Sequence, residues 1–230
     1  MLIDPSSWGL LDPLLEASLE IGVLEDHLDL VESQVVYLQK SHRLQVDTYI
    51  KKEQLTPDDP EWHEALQHHY HWIDFLLPRF LRGPFLVSLY AVYESVVTEV
   101  ADVMRDRVSE SRRLAEYGAK NLSFLQRAAK YYREVLAFDL CLDPTTWERL
   151  DALRELRNAL AHANGRLDVL QAKKKGRINK IVSEFPGVQV DYGCLIFDQA
   201  FVAETARLVK TSLEDLVARS NTENQKAKNV

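Results

Sequence analysis

The chain has 230 residues, of which 46% are hydrophobic and 27% charged, so it is long and apolar enough to bury a core. Eight glycines and eight prolines are few for this length, which disfavours β-sandwiches, β-barrels and collagen-like repeats. Two cysteines in unrelated segments, Cys141 and Cys194, support neither a disulfide framework nor a cysteine-rich zinc site. No run reaches the roughly 18 apolar residues of a membrane span, and the first residues lack a basic signal-peptide region, so we expect a cytoplasmic protein.

Charge is unevenly distributed along the chain, whose formal net charge is -7. Residues 1–77 contain 15 acidic and 4 basic residues, whereas residues 144–180 contain 4 acidic and 9 basic ones. Because salt screens charges beyond about 8–10 Å, a local basic surface attracts phosphate groups even on an acidic protein. The basic segment therefore leaves two interpretations open, a nucleic-acid surface or a set of solvated helix faces.

The N-terminal part of the chain is expected to form long helices. The first covers residues 14–55 without an internal proline, and its apolar positions at helical spacing are Leu24, Leu28, Val31, Val35, Leu38 and Val46. A second helix begins where Asp59 provides a cap and Pro60 suits the first turn. It is expected to extend to about residue 77.

Proline and glycine predict where the second helix ends. Pro78 and the pair Gly83-Pro84 are expected to break it, because proline cannot donate a backbone hydrogen bond inside a helix. The next helix, residues 85–108, is apolar on most of its circumference, so we expect it at the centre of the core.

The second half of the chain changes periodicity near its end. Two helices are predicted over residues 121–138 and 144–163, the latter capped by Asp143. Beyond the lysine-rich run the pattern alternates and is broken by glycines, which predicts a small hairpin within residues 181–198. A last helix is predicted over residues 199–218.

These elements predict a mainly α fold, a helical bundle with long N-terminal helices and a small β-hairpin before the C-terminal helix. No internal repeat or linker is visible, so we expect one domain over residues 1–219, with 1–79 as an N-terminal helical extension and 80–219 as the core. The polar end, residues 220–230, has no apolar stripe and is expected to be a disordered tail.

The predicted helix 144–163 contains a polar motif, Arg157-Asn158-x-x-x-His162. One apolar arc of this helix is formed by Leu150, Leu153, Leu156 and Leu160. Arg157 falls inside the arc, where a guanidinium needs a partner. A structural interpretation pairs Arg157 with a core carboxylate such as Glu94, bonds Asn158 to a loop and leaves His162 near a helix end.

A functional interpretation of the same helix rests on its other face. Asn158 and His162 are four residues apart and therefore lie on one face. Beside them lie the small residues Ala152, Ala159 and Ala163. Small side chains permit close approach of another helix, so we expect a symmetric dimer contact along this helix.

The segment RNALAHANG, which closes a helix, resembles the HEPN superfamily (higher eukaryotes and prokaryotes nucleotide-binding domains). The apolar helix FLVSLYAVYESVVTEVADVM before it and the ribbon and final helix after it fit the same family, over residues 80–218. The family motif is an arginine, a polar residue, a few variable positions and a histidine, and it matches Arg157, Asn158 and His162.

The resemblance implies a metal-independent endoribonuclease with no cofactor. Such enzymes act on RNA as homodimers, with the two motif helices facing each other across one cleft, and they recur as toxins and in antiviral defence. An antitoxin or a defence-system partner protein is therefore implied, and a membrane is not. Other members keep the bundle without catalysis, so the alternative is a non-catalytic helical dimerisation or interaction module.

The residue types fit RNA cleavage without a metal, in which the ribose 2′-hydroxyl attacks the phosphate. Histidine has an ordinary pKa near about 6.5, so His162 fits proton transfer. A guanidinium offers permanently charged, bidentate donors for the phosphate oxygens in the transition state, so Arg157 fits their stabilisation. Asn158 is placed to orient the imidazole or to bind the phosphate or the 2′-hydroxyl.

Further basic residues around the motif are candidates for RNA binding: Arg154, Lys173, Lys174, Lys175 and Arg177. The lysine run follows the motif helix closely in sequence. It either lines an RNA path or forms a solvated loop.

A histidine-rich segment near residue 68 invites a metal interpretation, because Glu64, His68 and His71 share a helical face. Its spacing matches neither the zinc motif HExxH nor the ExxH motif of di-iron bundles. We therefore predict no metal centre, and the segment from His63 to His71 is the second candidate for a functional site.

Overall fold

The computed structural model describes residues 13–107, 112–118 and 121–228. Its α-helices are α1 (Pro13–Lys52), α2 (Pro60–His69), α3 (Leu77–Arg107), α4 (Phe124–Glu134), α5 (Pro144–Ala163), α6 (Ala172–Glu184) and α7 (Gln199–Lys228). A π-helical segment, Tyr70–Leu76, joins α2 to α3. Strands β1 (Val188–Asp191) and β2 (Cys194–Phe197) pair in antiparallel fashion. The predicted mainly α fold with a hairpin before the final helix is confirmed.

The chain divides into two compact units, each assembled from separate stretches. The first comprises Met1–Glu25, Ser88–Arg154 and Thr205–Val230, and the second comprises Asp26–Val87 and Glu155–Glu204. The long helices α1, α3, α5 and α7 contribute residues to both. The predicted domain organisation, with its division at residue 80, does not coincide with these units and stays a prediction.

The core of the first unit is built around α3. Within that unit Leu89, Val96, Val97 and Val100 are fully buried, as expected for a central helix. The buried Tyr132 of α4 donates its hydroxyl to the carbonyl of Val97 at 2.6 Å. This hydrogen bond ties α4 to α3 and satisfies a polar group inside an apolar core.

The long first helix is confirmed, since α1 runs unbroken for 40 residues. Among its predicted inward positions Leu24, Val35 and Val46 are buried, Leu28 and Val31 are half-buried, and Leu38 is exposed. The opposite face of α1 is open to solvent and carries apolar side chains.

The predicted break after residue 77 is wrong, because α2, the π-helical segment and α3 form one continuous helical run. In the π-helical segment the backbone bonds span one residue more, as in the bond from the Leu77 N–H to the Trp72 carbonyl. This wider turn directly precedes Pro78 and relieves the clash between a proline ring and the preceding turn.

Gly83 serves close packing and does not break the helix. A Cβ atom added at Gly83 would lie 3.2 Å from Cδ2 of Leu160, which is tighter than an ordinary van der Waals contact. The glycine therefore lets α3 approach α5 closely at this position.

One helical run in the described residues, Pro60–Asp106, is long and apolar enough to cross a membrane by length and composition. Within its most apolar 18-residue window, 44% is buried inside the protein. The core helix of a soluble protein meets the same criteria, so this run gives only weak support for a membrane span and is compatible with a soluble protein.

The lysine-rich run is helical, because α6 begins at Ala172 and continues through residues expected in the ribbon. Ile178 and Ile181 are buried on one side of α6. Their spacing of three residues is helical, and it was not recognised from the sequence. The hairpin is correspondingly short, and its two-residue turn has φ +46° at Tyr192 and φ +72° at Gly193. Two positive φ angles are typical of a type I′ hairpin turn.

The expected disordered tail is wrong for residues 220–228, which continue α7 to Lys228. No glycine or proline follows position 199, and extending an existing helix costs far less than starting one. Residues 229–230 lie outside the described residues.

Candidate functional site

The three motif residues lie in the C-terminal half of α5, whose bounds match the predicted helix. The helix is capped as predicted by Asp143, whose carboxylate accepts from the hydroxyl and the backbone N–H of Thr146 at 2.7 and 2.8 Å. These bonds, the side-chain one foremost, lower the pKa of Asp143 below its usual value. The cap is therefore charged near neutral pH and complements the helix dipole.

Arg157 and Asn158 contact each other directly. Nη1 of Arg157 donates to Oδ1 of Asn158 at 3.2 Å, and both side chains are half-buried. In the described part of the chain no hydrogen bond joins Asn158 to His162. In this structure Asn158 orients the guanidinium of Arg157, and its expected role in orienting the imidazole or in binding the phosphate or the 2′-hydroxyl stays a prediction.

His162 lies exposed at the end of α5, one turn beyond Asn158. The helix ends at Ala163, and the next residues adopt left-handed conformations, φ +48° at Asn164 and φ +71° at Gly165. The N–H of Gly165 donates back to the carbonyl of Ala159 at 3.1 Å, which closes the final turn. An exposed imidazole on a fixed helix end is accessible to a ligand from solvent.

Arg79 fixes the backbone directly after the motif and was missed by the sequence analysis. Its Nη2 donates to the carbonyl of Asn164, and its guanidinium lies over the rings of Phe75 and Phe80, with 5.9 and 5.1 Å to their centroids. Only 8% of Arg79 is exposed. A buried arginine that holds the carbonyl two residues after His162 positions the end of the motif helix.

The hairpin holds the same segment from another direction. The N–H of Leu195 donates to the carbonyl of Gly165, and the N–H of Leu167 donates to the carbonyl of Gly193, both at 2.9 Å. The end of α5 is therefore bonded to α3 by Arg79 and to β2 by backbone hydrogen bonds. These contacts give the motif a rigid support.

The candidate RNA-binding residues have different surroundings. Arg154 is largely buried, and its Nε and Nη2 both contact Oδ1 of Asp151 at 2.9 Å. Arg177 is about half exposed, and its Nη1 donates to Oε1 of Glu155 at 2.6 Å. The exposed candidates with no ion pair among the described residues lie in the first turn of α6: Lys173, Lys174 and Lys175. The lysines are thus more available to a phosphate than the arginines.

Two of the three small residues on α5 are covered within the chain itself. Ala159 is only 4% exposed and Ala152 only 8%, whereas Ala163 is half-buried. A second helix cannot reach the two buried side chains, and the expected dimer contact along this helix stays a prediction.

The histidine-rich segment forms ring contacts. In the described residues no group of three or more His, Cys, Asp or Glu side chains is placed to hold a metal ion. His68 packs against Trp72, with 5.8 Å between ring centroids, and His71 packs against Tyr192 at 5.6 Å. These ring contacts position the imidazoles of His68 and His71, which the metal interpretation assigns as ligands together with Glu64.

A pair of histidines was not anticipated from the sequence. Nδ1 of His42, on α1, lies 2.9 Å from Nδ1 of His69, and their rings stack. One nitrogen must donate and the other accept, so at most one of the two imidazoles is protonated on both nitrogens. Nε2 of His69 lies 3.8 Å from a carboxylate oxygen of Asp74.

Acid is expected to destabilise the protein through His42. Burial, followed by the neighbouring imidazoles of His69 and His68, lowers its pKa, against the opposing effect of Asp74. Below the ordinary histidine pKa of about 6.5 the unfolded chain therefore binds a proton that the folded protein does not, and stability falls as the pH drops towards the lowered value. Thermal melting from about pH 7 to about pH 5 should lower the Tm more in the wild type than in His42→Gln, and equal decreases would contradict the assignment.

Comparison with protein-family models, with curated proteins and with solved structures gave no match to this chain.

Proposed function

We propose that this protein is a metal-independent endoribonuclease of the HEPN type that cleaves single-stranded RNA. The observation that carries the proposal is the arrangement on α5, where Asn158 holds the guanidinium of Arg157 and His162 stands exposed one turn further on. Within the same proposal the protein acts in the cytoplasm as a toxin or defence effector, as a homodimer.

The proposed chemistry needs only the groups of the chain, the RNA and water. The 2′-oxygen of the ribose forms a bond to the adjacent phosphorus, and the bond from phosphorus to the 5′-oxygen breaks. The proton of the 2′-hydroxyl leaves, and the 5′-oxygen receives one; His162 performs one of these transfers and water performs the other. Arg157 binds the phosphate oxygens as negative charge builds on them.

The geometry around the motif supports a preorganised site. A catalytic group must be held in position by its surroundings, and the end of α5 is held by Arg79 and by the backbone of β2. Asn158 restricts the rotation of Arg157, which lowers the cost of binding a phosphate in one orientation. The exposed Lys173–Lys175 run supplies positive charge for the RNA backbone.

The rival function is a non-catalytic helical interaction module. It is favoured by the two arginines near the motif that are held by carboxylates, Arg154 by Asp151 and Arg177 by Glu155. Arginines engaged in this way contribute less to an RNA surface than free ones.

Purified protein is expected to cleave single-stranded RNA in the presence of EDTA. Attack by the 2′-hydroxyl leaves products with 2′,3′-cyclic phosphate and 5′-hydroxyl ends, which mass spectrometry of the fragments identifies. A matched RNA with 2′-O-methyl at the scissile nucleotide should remain intact. If no RNA is cut, or if activity needs added metal, the rival function is the better one.

A further inference from the structure

The outer face of α1 carries apolar side chains at a seven-residue interval. Leu30, Tyr37 and Leu44 are 59%, 64% and 68% exposed in the second unit. Single exposed apolar residues are ordinary on a protein surface, but a series spaced by seven follows one side of a helix. Such a row is typical of a helix that packs against another helix.

Polar residues occupy the intervening positions of the same face. Asp26, Ser33 and Lys40 form a second series spaced by seven, and all three are exposed. Within the described residues neither Asp26 nor Lys40 takes part in an ion pair. The face defined by Asp26, Leu30, Ser33, Tyr37, Lys40 and Leu44 is called the α1 face below.

The order of residues along the α1 face is self-complementary. Asp26 lies seven residues before Ser33, and Lys40 lies seven residues after it. Leu30 and Tyr37 flank Ser33 on its two sides. If a second α1 runs in the opposite direction across Ser33, Asp26 meets Lys40, and Leu30 lies within one residue of the position opposite Tyr37, each twice. A parallel pair in register would place like charges opposite each other instead.

The charges of α1 within the second unit favour the same direction. Residues 26–31 contain two acidic residues, Asp26 and Asp29, and neither lysine nor arginine, whereas residues 33–52 contain four basic residues and one acidic residue. An antiparallel arrangement places the acidic stretch against the basic one. Opposite charges beside an apolar seam are the usual determinants of helix pairing and direction.

We propose that the α1 face binds a second copy of this chain in antiparallel orientation, about a two-fold axis at Ser33. The contact is isologous, since each copy contributes the same surface. It lies on α1 and uses no residue of the Arg157–His162 motif, so it does not depend on the proposed ribonuclease activity.

The test exchanges the two charges, singly and in combination. Asp26→Lys and Lys40→Asp each create two like-charge contacts, and sedimentation equilibrium should show the dimer dissociation constant raised by at least about tenfold for each. An equimolar mixture of the two variants restores opposite charges at both contacts and should form a heterodimer. The double variant Asp26→Lys/Lys40→Asp should dimerise like the wild type.

The controls change the same charges elsewhere. Glu61→Lys and Lys174→Asp alter exposed residues off the α1 face, and the dimer should be unaffected. Thermal melting verifies that every variant is folded. A wild type that stays monomeric at high micromolar concentration overturns the proposal, as does a mixture of the single variants that fails to associate.

Discussion

Replacement of Arg82 by methionine is expected to lower the free energy of unfolding by about 3–5 kcal/mol. In the second unit, Nε and Nη2 of Arg82 donate to the two carboxylate oxygens of Glu32, both at 2.9 Å. A further bond runs from Nη1 to the carbonyl of Phe197 at 2.9 Å. Glu32 and Arg82 have side chains that are only 8% and 13% exposed, so loss of the arginine leaves an uncompensated buried carboxylate. Urea unfolding at neutral pH measures the change.

Two companion variants separate the charge effect from the packing effect. The double variant Glu32→Leu/Arg82→Met removes both charges and should lose clearly less stability than Arg82→Met alone, because no buried charge remains. Arg43→Met removes one partner of the exposed pair of Arg43 and Asp47, and we expect a change below about 1 kcal/mol. A double variant that is less stable than the single one would contradict this account of the pair.

Replacement of His162 by alanine is expected to reduce RNA cleavage by at least about a hundredfold, the scale of a removed general acid or base. Because His162 is exposed, the same change should leave the Tm close to that of the wild type. Single-turnover cleavage of a labelled RNA in EDTA, together with thermal melting, measures both effects. His27→Ala is the matched control, since it removes another exposed imidazole that lies on α1 and outside both candidate sites.

Arg157 offers a second test of the same site. Arg157→Lys keeps the positive charge but loses the planar fork, so cleavage should fall while RNA binding is largely retained. Full activity in His162→Ala or in Arg157→Lys would show that the motif is not the active site, and the histidine-rich segment from His63 to His71 would then be the next candidate.

Local sequence signals were sufficient to predict the motif helix. Asp143, Pro144 and the leucines of α5 predicted the bounds of the motif helix, because capping and an apolar stripe are both local properties. The break at Pro78 was predicted by the same local rule and failed, since a π-helical turn accommodates the proline. Such a turn depends on the packing of the whole run, which no short window of sequence contains.

Prediction of the site from the sequence has the same limit. The motif identified Arg157, Asn158 and His162 from spacing alone, but the bond from Arg157 to Asn158 depends on side-chain rotamers. Arg79 is 78 residues before Arg157 in the chain and reaches the end of α5 only through the fold. A contact between distant segments leaves no periodic signal, which is why this arginine was not among the predicted site residues.

The π-helical segment Tyr70–Leu76 also fixes the rotational phase between the residues before it and those after it. Each residue of an α-helix advances the chain by about 100°, so loss of one residue from this segment would turn everything beyond it by that angle. His69 now faces His42, and ten residues later Arg79 faces the carbonyl of Asn164. If residues 70–76 were replaced by a regular α-helical segment with one residue fewer, one of these two contacts would be kept and the other lost. The length of this segment is therefore constrained separately from its side chains, because an insertion or deletion would uncouple the histidine pair from the support of the motif helix.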